Sequence, residues 1–266
     1  EKCLEILDQN KIFPRVYSNH GTTLDTQNVG GQWATYQKGD VIGDKMYHLD
    51  LTLKHGFKFF WTDIDYDNVN PFFNIKEFQN DFLINQISRN KQNLIRFKRF
   101  RGNLKYPPYI KNFSKQVDYL LSKTNCGYSV IYQHLGIDRN SNGKPFCATK
   151  LNYDEDFYNA LSKLRSAEDK GKILITTTER ILMHALLMKT KPWKIVLKDD
   201  ELNIFFPDRF NYNNMNFSLT VKDLEGFSLL LNDDKKVIIN INNYSFLAKK
   251  NIIDNKIVAF IEWNKY

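Results

Sequence analysis

The sequence predicts an α/β domain over residues 1–191, followed by a small β-rich domain over residues 192–266. Two observations predict the first domain: short apolar strands alternate with amphipathic helices, and the helices are about ten residues long, as in crossovers between parallel strands. A third observation places the boundary. After Pro192 the helical period disappears, and short strands follow one another between Asp, Asn and Gly turns. We therefore expect a mostly parallel sheet or a (β/α) barrel, with a β-sandwich-like module after it.

The elements of the first domain are predicted from periodicity and from cap residues. Gly56 and Gly171 stand where helices end, and Thr178 is placed to cap a further helix. The predicted helices cover residues 2–10, 44–55, 78–87, 113–123, 154–170 and 178–188, and the predicted strands cover residues 12–17, 57–62, 94–100, 128–132 and 172–176.

The second domain is predicted from a run of short β-type segments with no helical period between them. Turn residues separate these segments at short intervals, which is typical of a sandwich. The predicted strands cover residues 193–197, 202–206, 215–221, 227–231, 236–241 and 257–263.

Composition limits the class of protein. Hydrophobic residues make up 42% of the 266 and aromatic residues 14%, enough to bury a core. The net charge is +8, and its densest cluster is a basic run over residues 96–105 that Phe97 and Phe100 interrupt. A basic protein can bind nucleic acid, an anionic glycan or an acidic membrane surface, but most of these charges are scattered.

Cysteine spacing, apolar runs and the first residues of the sequence bear on the compartment and on membrane topology. Three cysteines without CxxC spacing predict neither a disulfide framework nor a zinc finger. No apolar run approaches the roughly 18 residues of a membrane span, so we expect no transmembrane segment. The chain starts at Glu1 inside a helical pattern, which predicts that the natural N-terminus lies further upstream. Both a cytoplasmic and a cell-envelope location stay open.

Polar side chains of catalytic type follow four of the predicted strands. Because the carboxyl ends of parallel strands meet at one edge of a sheet, residues just past those ends are expected to gather there. Trp61 and Tyr132 would offer aromatic faces to a sugar at this rim. The polar candidates are Asn19, His20, Asp63, Asp65, Arg99, Arg101 and His134.

Three stretches carry a resemblance to a known family. The helix at residues 3–10 runs into the strand that ends at Tyr17, residues 129–134 read Ser-Val-Ile-Tyr-Gln-His, and residues 171–182 read Gly-Lys-Ile-Leu-Ile-Thr-Thr-Thr-Glu-Arg-Ile-Leu. Over about residues 1–190 this order resembles the polysaccharide deacetylase (NodB-homology) family. The resemblance implies a (β/α) barrel, distorted or incomplete, that removes an acyl group from a cell-surface or envelope glycan.

The resemblance also implies roles for the candidates. A divalent metal such as Zn would be held by His20, His134 and a carboxylate, and His134 would also protonate the leaving group. Asp63 or Asp65 would take the proton of the attacking water. Asn19, Arg99, Arg101, Trp61 and Tyr132 would bind the substrate.

The sequence departs from the family pattern in two places. The Asp-Asp pair that follows the family's first strand is absent, and so is its His-Ser/Thr-x-x-His motif. These departures keep a second hypothesis open, a metal-free glycan-binding or structural relative. A third is a nucleic-acid binder, suggested by the net charge, but no recognition module supports it and we expect no nucleic-acid partner. The sequence leaves the oligomeric state undetermined.

Overall fold

The computed structural model describes residues 2–18, 27–29, 38–61, 83–97, 100–101, 113–122, 127–132, 137–139, 145–147 and 155–263. The chain divides into two compact units, Glu1–Glu179 and Arg180–Tyr266. The division therefore falls at the start of the last helix, whereas the sequence pattern places a boundary after that helix, at residue 191.

The first unit contains short strands and several helices. Its elements are α1 (Lys2–Gln9), β1 (Val16–Tyr17), α2 (Leu49–Lys54), β2 (Phe59–Trp61), β3 (Ile84–Arg89), β4 (Gln92–Phe97), β5 (Phe100–Arg101), α3 (Phe113–Leu121), β6 (Ile131–Tyr132), β7 (Ile137–Arg139), β8 (Pro145–Cys147) and α4 (Glu155–Asp169).

The largest sheet of this unit has the strand order β1-β2-β4-β3. β1, β2 and β4 are parallel, and β3 runs antiparallel to β4 at the edge. The helix α2 lies between β1 and β2 in the sequence, so the two strands form a βαβ unit, as the alternating pattern predicts. The three parallel strands, β1, β2 and β4, position the candidate site.

One face of this sheet carries a buried hydrophobic cluster. Five residues are buried together in a single cluster, and Leu4 and Leu7 of α1 pack against it. Leu4 and Leu7 are half-buried by this contact, and such tertiary packing favours a helix too short to be stable alone. The buried cluster consists of Val29, Leu49, Phe57, Phe60 and Leu94.

The predicted helix at residues 78–87 is wrong over the part that the structure describes. Ile84–Arg89 is the strand β3, and it forms a hairpin with β4. The two turn residues, Asn90 and Lys91, have φ values of 49° and 63°. Positive φ at both central positions is typical of the type I′ turn, whose twist matches that of paired strands.

The predicted (β/α) barrel is wrong as well. In the described part of the chain the strands form small separate sheets, and no barrel closes. Residues 172–176, predicted as a closing strand, have no regular structure. A barrel needs each strand to return parallel to the last through a crossover, whereas a two-residue turn such as that at Asn90 can join only antiparallel neighbours.

Two further strand pairs and a helix pair are described in the first unit. β5 pairs with β6 in parallel, and β7 pairs with β8 antiparallel. Val117 of α3 packs against Phe157 and Ala160 of α4. Lys163 Nζ lies 2.7 Å from Asp118 Oδ1 and ties the same two helices together at the surface.

The second unit is mostly β-structure after one helix, which is compatible with the predicted sandwich-like module. Its elements are α5 (Thr178–Thr190), β9 (Lys194–Lys198), β10 (Glu201–Phe206), β11 (Arg209–Tyr212), β12 (Met215–Ser218), a 3₁₀ helix (Val221–Leu224), β13 (Ser228–Leu231), β14 (Lys236–Ile241), β15 (Tyr244–Leu247), β16 (Lys249–Ile253) and β17 (Lys256–Phe260).

Two sheets and a hairpin organise these strands. One sheet has the order β15-β14-β10-β9, another the order β13-β17-β16, and β11 pairs with β12. Trp193, Phe206 and Phe227 form a cluster whose ring centroids lie 5.1–5.6 Å apart. Such edge-on and tilted contacts are the favourable arrangement for aromatic rings in a core.

Asn and Asp dominate the tight turns of this unit. Asn213 and Asn214 join β11 to β12, and Asp254 and Asn255 join β16 to β17, all with φ between 48° and 63°. These residues tolerate the left-handed region better than other side chains do. These Asn and Asp residues thus allow the two hairpins to form. No helix in the described ranges is long and apolar enough to cross a membrane.

Candidate functional site

The carboxyl ends of β1, β2 and β4 lie side by side and form an edge that we call the carboxyl edge, defined by Tyr17, Trp61 and Phe97. The register pairs Tyr17 with Phe60 and Trp61 with Phe97. The three strands therefore end within one residue of a common level. In parallel sheets this is the edge where functional side chains collect.

His48 precedes α2, and its ring is within hydrogen-bond distance of three other residues of the first unit. Its Nδ1 lies 2.8 Å from Thr52 Oγ1, and its Nε2 lies 2.9 Å from the Gln27 carbonyl oxygen and 3.0 Å from Tyr17 Oη. The Tyr17 and His48 rings are also in contact, with centroids 5.4 Å apart. His48 thus connects the end of β1 with α2 and with residues 27–29.

Both ring nitrogens of His48 have a hydrogen-bond partner. The Gln27 carbonyl can only accept, so it is satisfied when Nε2 carries a hydrogen. When Nε2 carries none, it accepts from the Tyr17 hydroxyl. This geometry suits a residue that holds the carboxyl edge in place, and it leaves no bare nitrogen directed at a substrate.

Gly39 lets these groups approach one another. A Cβ at this position would overlap the Gln27 carbonyl oxygen and would lie 2.7 Å from His48 Nε2. The Gly39 carbonyl accepts from the amides of His48 and Leu49 at 2.9 and 3.1 Å. The absence of a side chain here is therefore a packing requirement of the site.

A cation lies near the carboxyl edge on β4. Arg96 is the register partner of Phe60, so it lies in the same row as Tyr17. With the Asn85 amide oriented to satisfy its neighbours, its oxygen accepts from Arg96 Nη2 at 3.2 Å. The basic run noted in the sequence thus begins with a residue that β3 holds in position.

The structure describes three of the predicted site residues. Trp61 ends β2 and is buried. Arg101 and Tyr132 are register partners in the parallel pair β5–β6, so two predicted substrate contacts are adjacent in the backbone. Asn19, His20, Asp63, Asp65, Arg99 and His134 lie outside the described residues.

The predicted metal ligands His20 and His134 therefore have no observed geometry. Among the residues that the structure describes, no group of three or more His, Cys, Asp or Glu side chains could hold a metal ion.

Tyr128 lies just before β6. Burial raises its pKa to about 12, so the phenol is neutral at physiological pH. It can donate a hydrogen bond there but cannot serve as a base.

Sequence reasoning assigned no role to Gly39 and Thr52, and it placed Tyr17 among the aromatic residues of the rim without its link to His48. A signal was present, because His48 and Thr52 are four residues apart and such residues lie on one face of a helix. The approach of Gln27 and Gly39 could not be read from any spacing, since it depends on how the loops pack.

No protein-family model matches the sequence, and neither a curated protein nor a solved structure is significantly similar to it. The functional argument therefore rests on the residues of this chain.

Proposed function

We propose that this chain is a carbohydrate-active hydrolase that removes an acyl group from a glycan, with its active site at the carboxyl edge. The observation that carries the proposal is the side-by-side ending of β1, β2 and β4. Each of these strands is followed in the sequence by polar residues of catalytic type: Asn19 and His20, then Asp63 and Asp65, then Arg99.

Chain length supports the proposal. His20 follows Tyr17 by three residues, Asp63 follows Trp61 by two, and Arg99 follows Phe97 by two. Because one residue spans at most about 3.6 Å, each candidate is tethered within roughly 7 to 11 Å of the end of its strand. Adjacent strands are about 4.8 Å apart, so the three groups can reach one substrate.

The proposed chemistry divides the work among these residues. Asp63 or Asp65 takes the proton from the attacking water, and His134 protonates the departing amine or alkoxide. Arg99 or Arg101 binds an anionic group of the glycan, while Asn19 and Tyr132 contact its hydroxyl groups. Imidazole and carboxylate are a donor set suited to Zn²⁺, which when bound would polarise the acyl carbonyl and acidify a water molecule.

Metal content and deacetylation, measured together, test the proposal. We would purify the full chain, determine bound Zn, Co and Ni by elemental analysis, and measure acetate release from an N-acetylated chitooligosaccharide. We expect about one metal ion per chain. His20→Ala and His134→Ala should each lose metal and acetate release.

His55→Ala is the matched control. His55 follows the last residue of α2, and its ring contacts Asp8 of α1. This variant should keep both metal and activity. Loss of acetate release in the control as strongly as in the two variants would contradict the assignment.

The second candidate is a metal-free glycan-binding relative, and the lack of a His-Ser/Thr-x-x-His motif between Glu1 and Tyr266 favours it. It predicts no stoichiometric metal and no acetate release, but retained binding of the oligosaccharide in a calorimetric titration. Substitution of Arg101 and Tyr132, the adjacent residues of β5–β6, should weaken that binding.

A further inference from the structure

β9 is one of the two edge strands of the sheet β15-β14-β10-β9. All five of its residues, Lys-Ile-Val-Leu-Lys, are exposed. The solvent-exposed fractions of Ile195, Val196 and Leu197 are 51%, 48% and 57%. Native proteins usually keep such an edge short, polar or covered, because its backbone groups can pair with another strand.

The apolar side chains of β9 continue the core face of the sheet. In the antiparallel register Ile195 pairs with Ile204, and Leu197 pairs with Leu202. Register partners point to the same side of a sheet, and Ile204 is fully buried. The apolar side chains on this face therefore continue from the buried core to the edge strand, where they are exposed to solvent.

The opposite face of β9 is basic. Lys194 and Lys198 flank Val196 on that side. The register partner of Lys198 is Glu201, whose Oε1 lies 2.5 Å from Lys236 Nζ. Neither Lys194 nor Lys198 forms an ion pair with a carboxylate of the described residues, so both ammonium groups are available to a partner strand.

We propose that β9 accepts an added strand from a partner protein, an extended segment in which apolar and acidic residues alternate. The segment's apolar side chains would pack beside Ile195 and Leu197, and its carboxylates would lie opposite Lys194 and Lys198. Main-chain hydrogen bonds supply affinity in this mode of recognition, and the alternate side chains supply specificity. This interaction is independent of the proposed hydrolytic site.

Charge argues for a foreign segment and against a second copy of this chain. Antiparallel pairing of two β9 strands about Val196 would place Lys194 of one copy opposite Lys198 of the other, twice. Like charges directly opposite each other are destabilising. An acidic segment reverses the sign of both contacts.

A pair of labelled peptides tests the proposal. The probe is Thr-Glu-Val-Thr-Ile-Glu-Thr, in which the two Glu residues have the spacing of Lys194 and Lys198, and its counterpart carries Lys in place of Glu. Fluorescence anisotropy with the full chain should show binding of the Glu peptide about tenfold tighter than of the Lys peptide. Hydrogen exchange at the amides of residues 194–198 should slow when the Glu peptide binds.

Charge reversal supplies the decisive control. Lys194→Glu/Lys198→Glu should reverse the preference, and binding of the Lys peptide would also show that this variant is folded. Lys170→Glu/Lys172→Glu makes the same change in net charge at exposed positions of the first unit and should leave the preference unchanged.

Three results would overturn the proposal. Equal binding of both peptides would remove the charge argument. A failure of the Glu peptide to bind would mean that the lysines merely protect the edge from aggregation. A concentration-dependent dimer that Val196→Lys abolishes would identify a second copy as the occupant.

Discussion

The Tyr17 hydroxyl lies 3.0 Å from His48 Nε2 and joins the end of β1 to the start of α2. The same nitrogen is 2.9 Å from the Gln27 carbonyl oxygen. One imidazole therefore holds together three stretches of chain that are distant in sequence, directly beside the carboxyl edge.

Removing this link should loosen the edge. Tyr17→Phe keeps the ring contacts and deletes the hydroxyl contacts to His48 Nε2 and the Gln27 carbonyl oxygen, so it should cost about 0.5–1.5 kcal/mol in unfolding free energy. His48→Ala removes several contacts and should cost more. Native-state hydrogen exchange at the amides of residues 49–55 would measure both effects. Tyr244→Phe, at an exposed position, should change stability by less than about 0.5 kcal/mol.

Gly39→Ala should be among the most disruptive single substitutions in the first unit. The added methyl would meet the Gln27 backbone oxygen, which no change of rotamer can move. Overpacking of this kind costs about 1–3 kcal/mol or more. Differential scanning calorimetry would show the lowered melting temperature.

Gly43→Ala provides the comparison for this prediction. Gly43 has φ +87° but no atom within 4 Å of a new Cβ, so alanine there carries a backbone penalty alone, about 1 kcal/mol. A Gly43 variant less stable than the Gly39 variant would contradict the packing argument.

Arg180 and Glu225 form a buried ion pair in the second unit, with Arg180 Nη2 3.0 Å from Glu225 Oε2. The Arg180 guanidinium also lies 4.7 Å from the centroid of the Trp263 ring. Arg180→Met leaves the carboxylate buried without its cation and should cost about 3–5 kcal/mol. Chemical denaturation followed by Trp fluorescence would measure the loss.

The double variant Arg180→Met/Glu225→Met should recover most of this loss, because no buried charge remains. Lys163→Met breaks the exposed pair with Asp118 and should cost less than about 1 kcal/mol. A double variant as unstable as Arg180→Met would show that packing around Trp263, and not the unpaired charge, accounts for the effect.

His184 should make the second unit sensitive to mild acid. Burial lowers its pKa below the usual 6.5, and a hydrogen bond to the backbone of Gly226 offsets part of that shift. Above pH 6.5 both folded and unfolded states carry a neutral ring. As pH falls from 6.5 towards the lowered pKa, only the unfolded state takes up the proton, so stability falls by at most about 1.4 kcal/mol per pH unit.

The test is to measure the unfolding free energy between pH 8 and pH 5 for the wild type and for His184→Gln. The difference between the two profiles isolates this histidine from the others in the chain. The variant should lose less stability on acidification than the wild type does. Parallel profiles would contradict the predicted titration.

Local chemistry was readable from the sequence. The predicted helix at residues 154–170 is confirmed as α4, and it ends where Gly171 adopts φ +68°. The helix predicted from Thr178 is α5, which begins at that residue, and the strand predicted at residues 236–241 coincides with β14. These signals are strong because each depends on neighbours within a few residues: an apolar period, a capping side chain or a glycine.

The tertiary structure decided how these elements assemble. Residues 84–89 became a strand because the Asn90–Lys91 turn folds them back on β4, and that pairing rules out the predicted barrel. For the candidate site, the sequence predicted that several strands end close together. The register of Tyr17, Trp61 and Phe97 places the ends of β1, β2 and β4 side by side. The sequence did not reveal the contact of His48 with Gln27, which depends on Gly39. Periodicity reports which face of an element is apolar, whereas the partner that covers this face is selected by long-range packing.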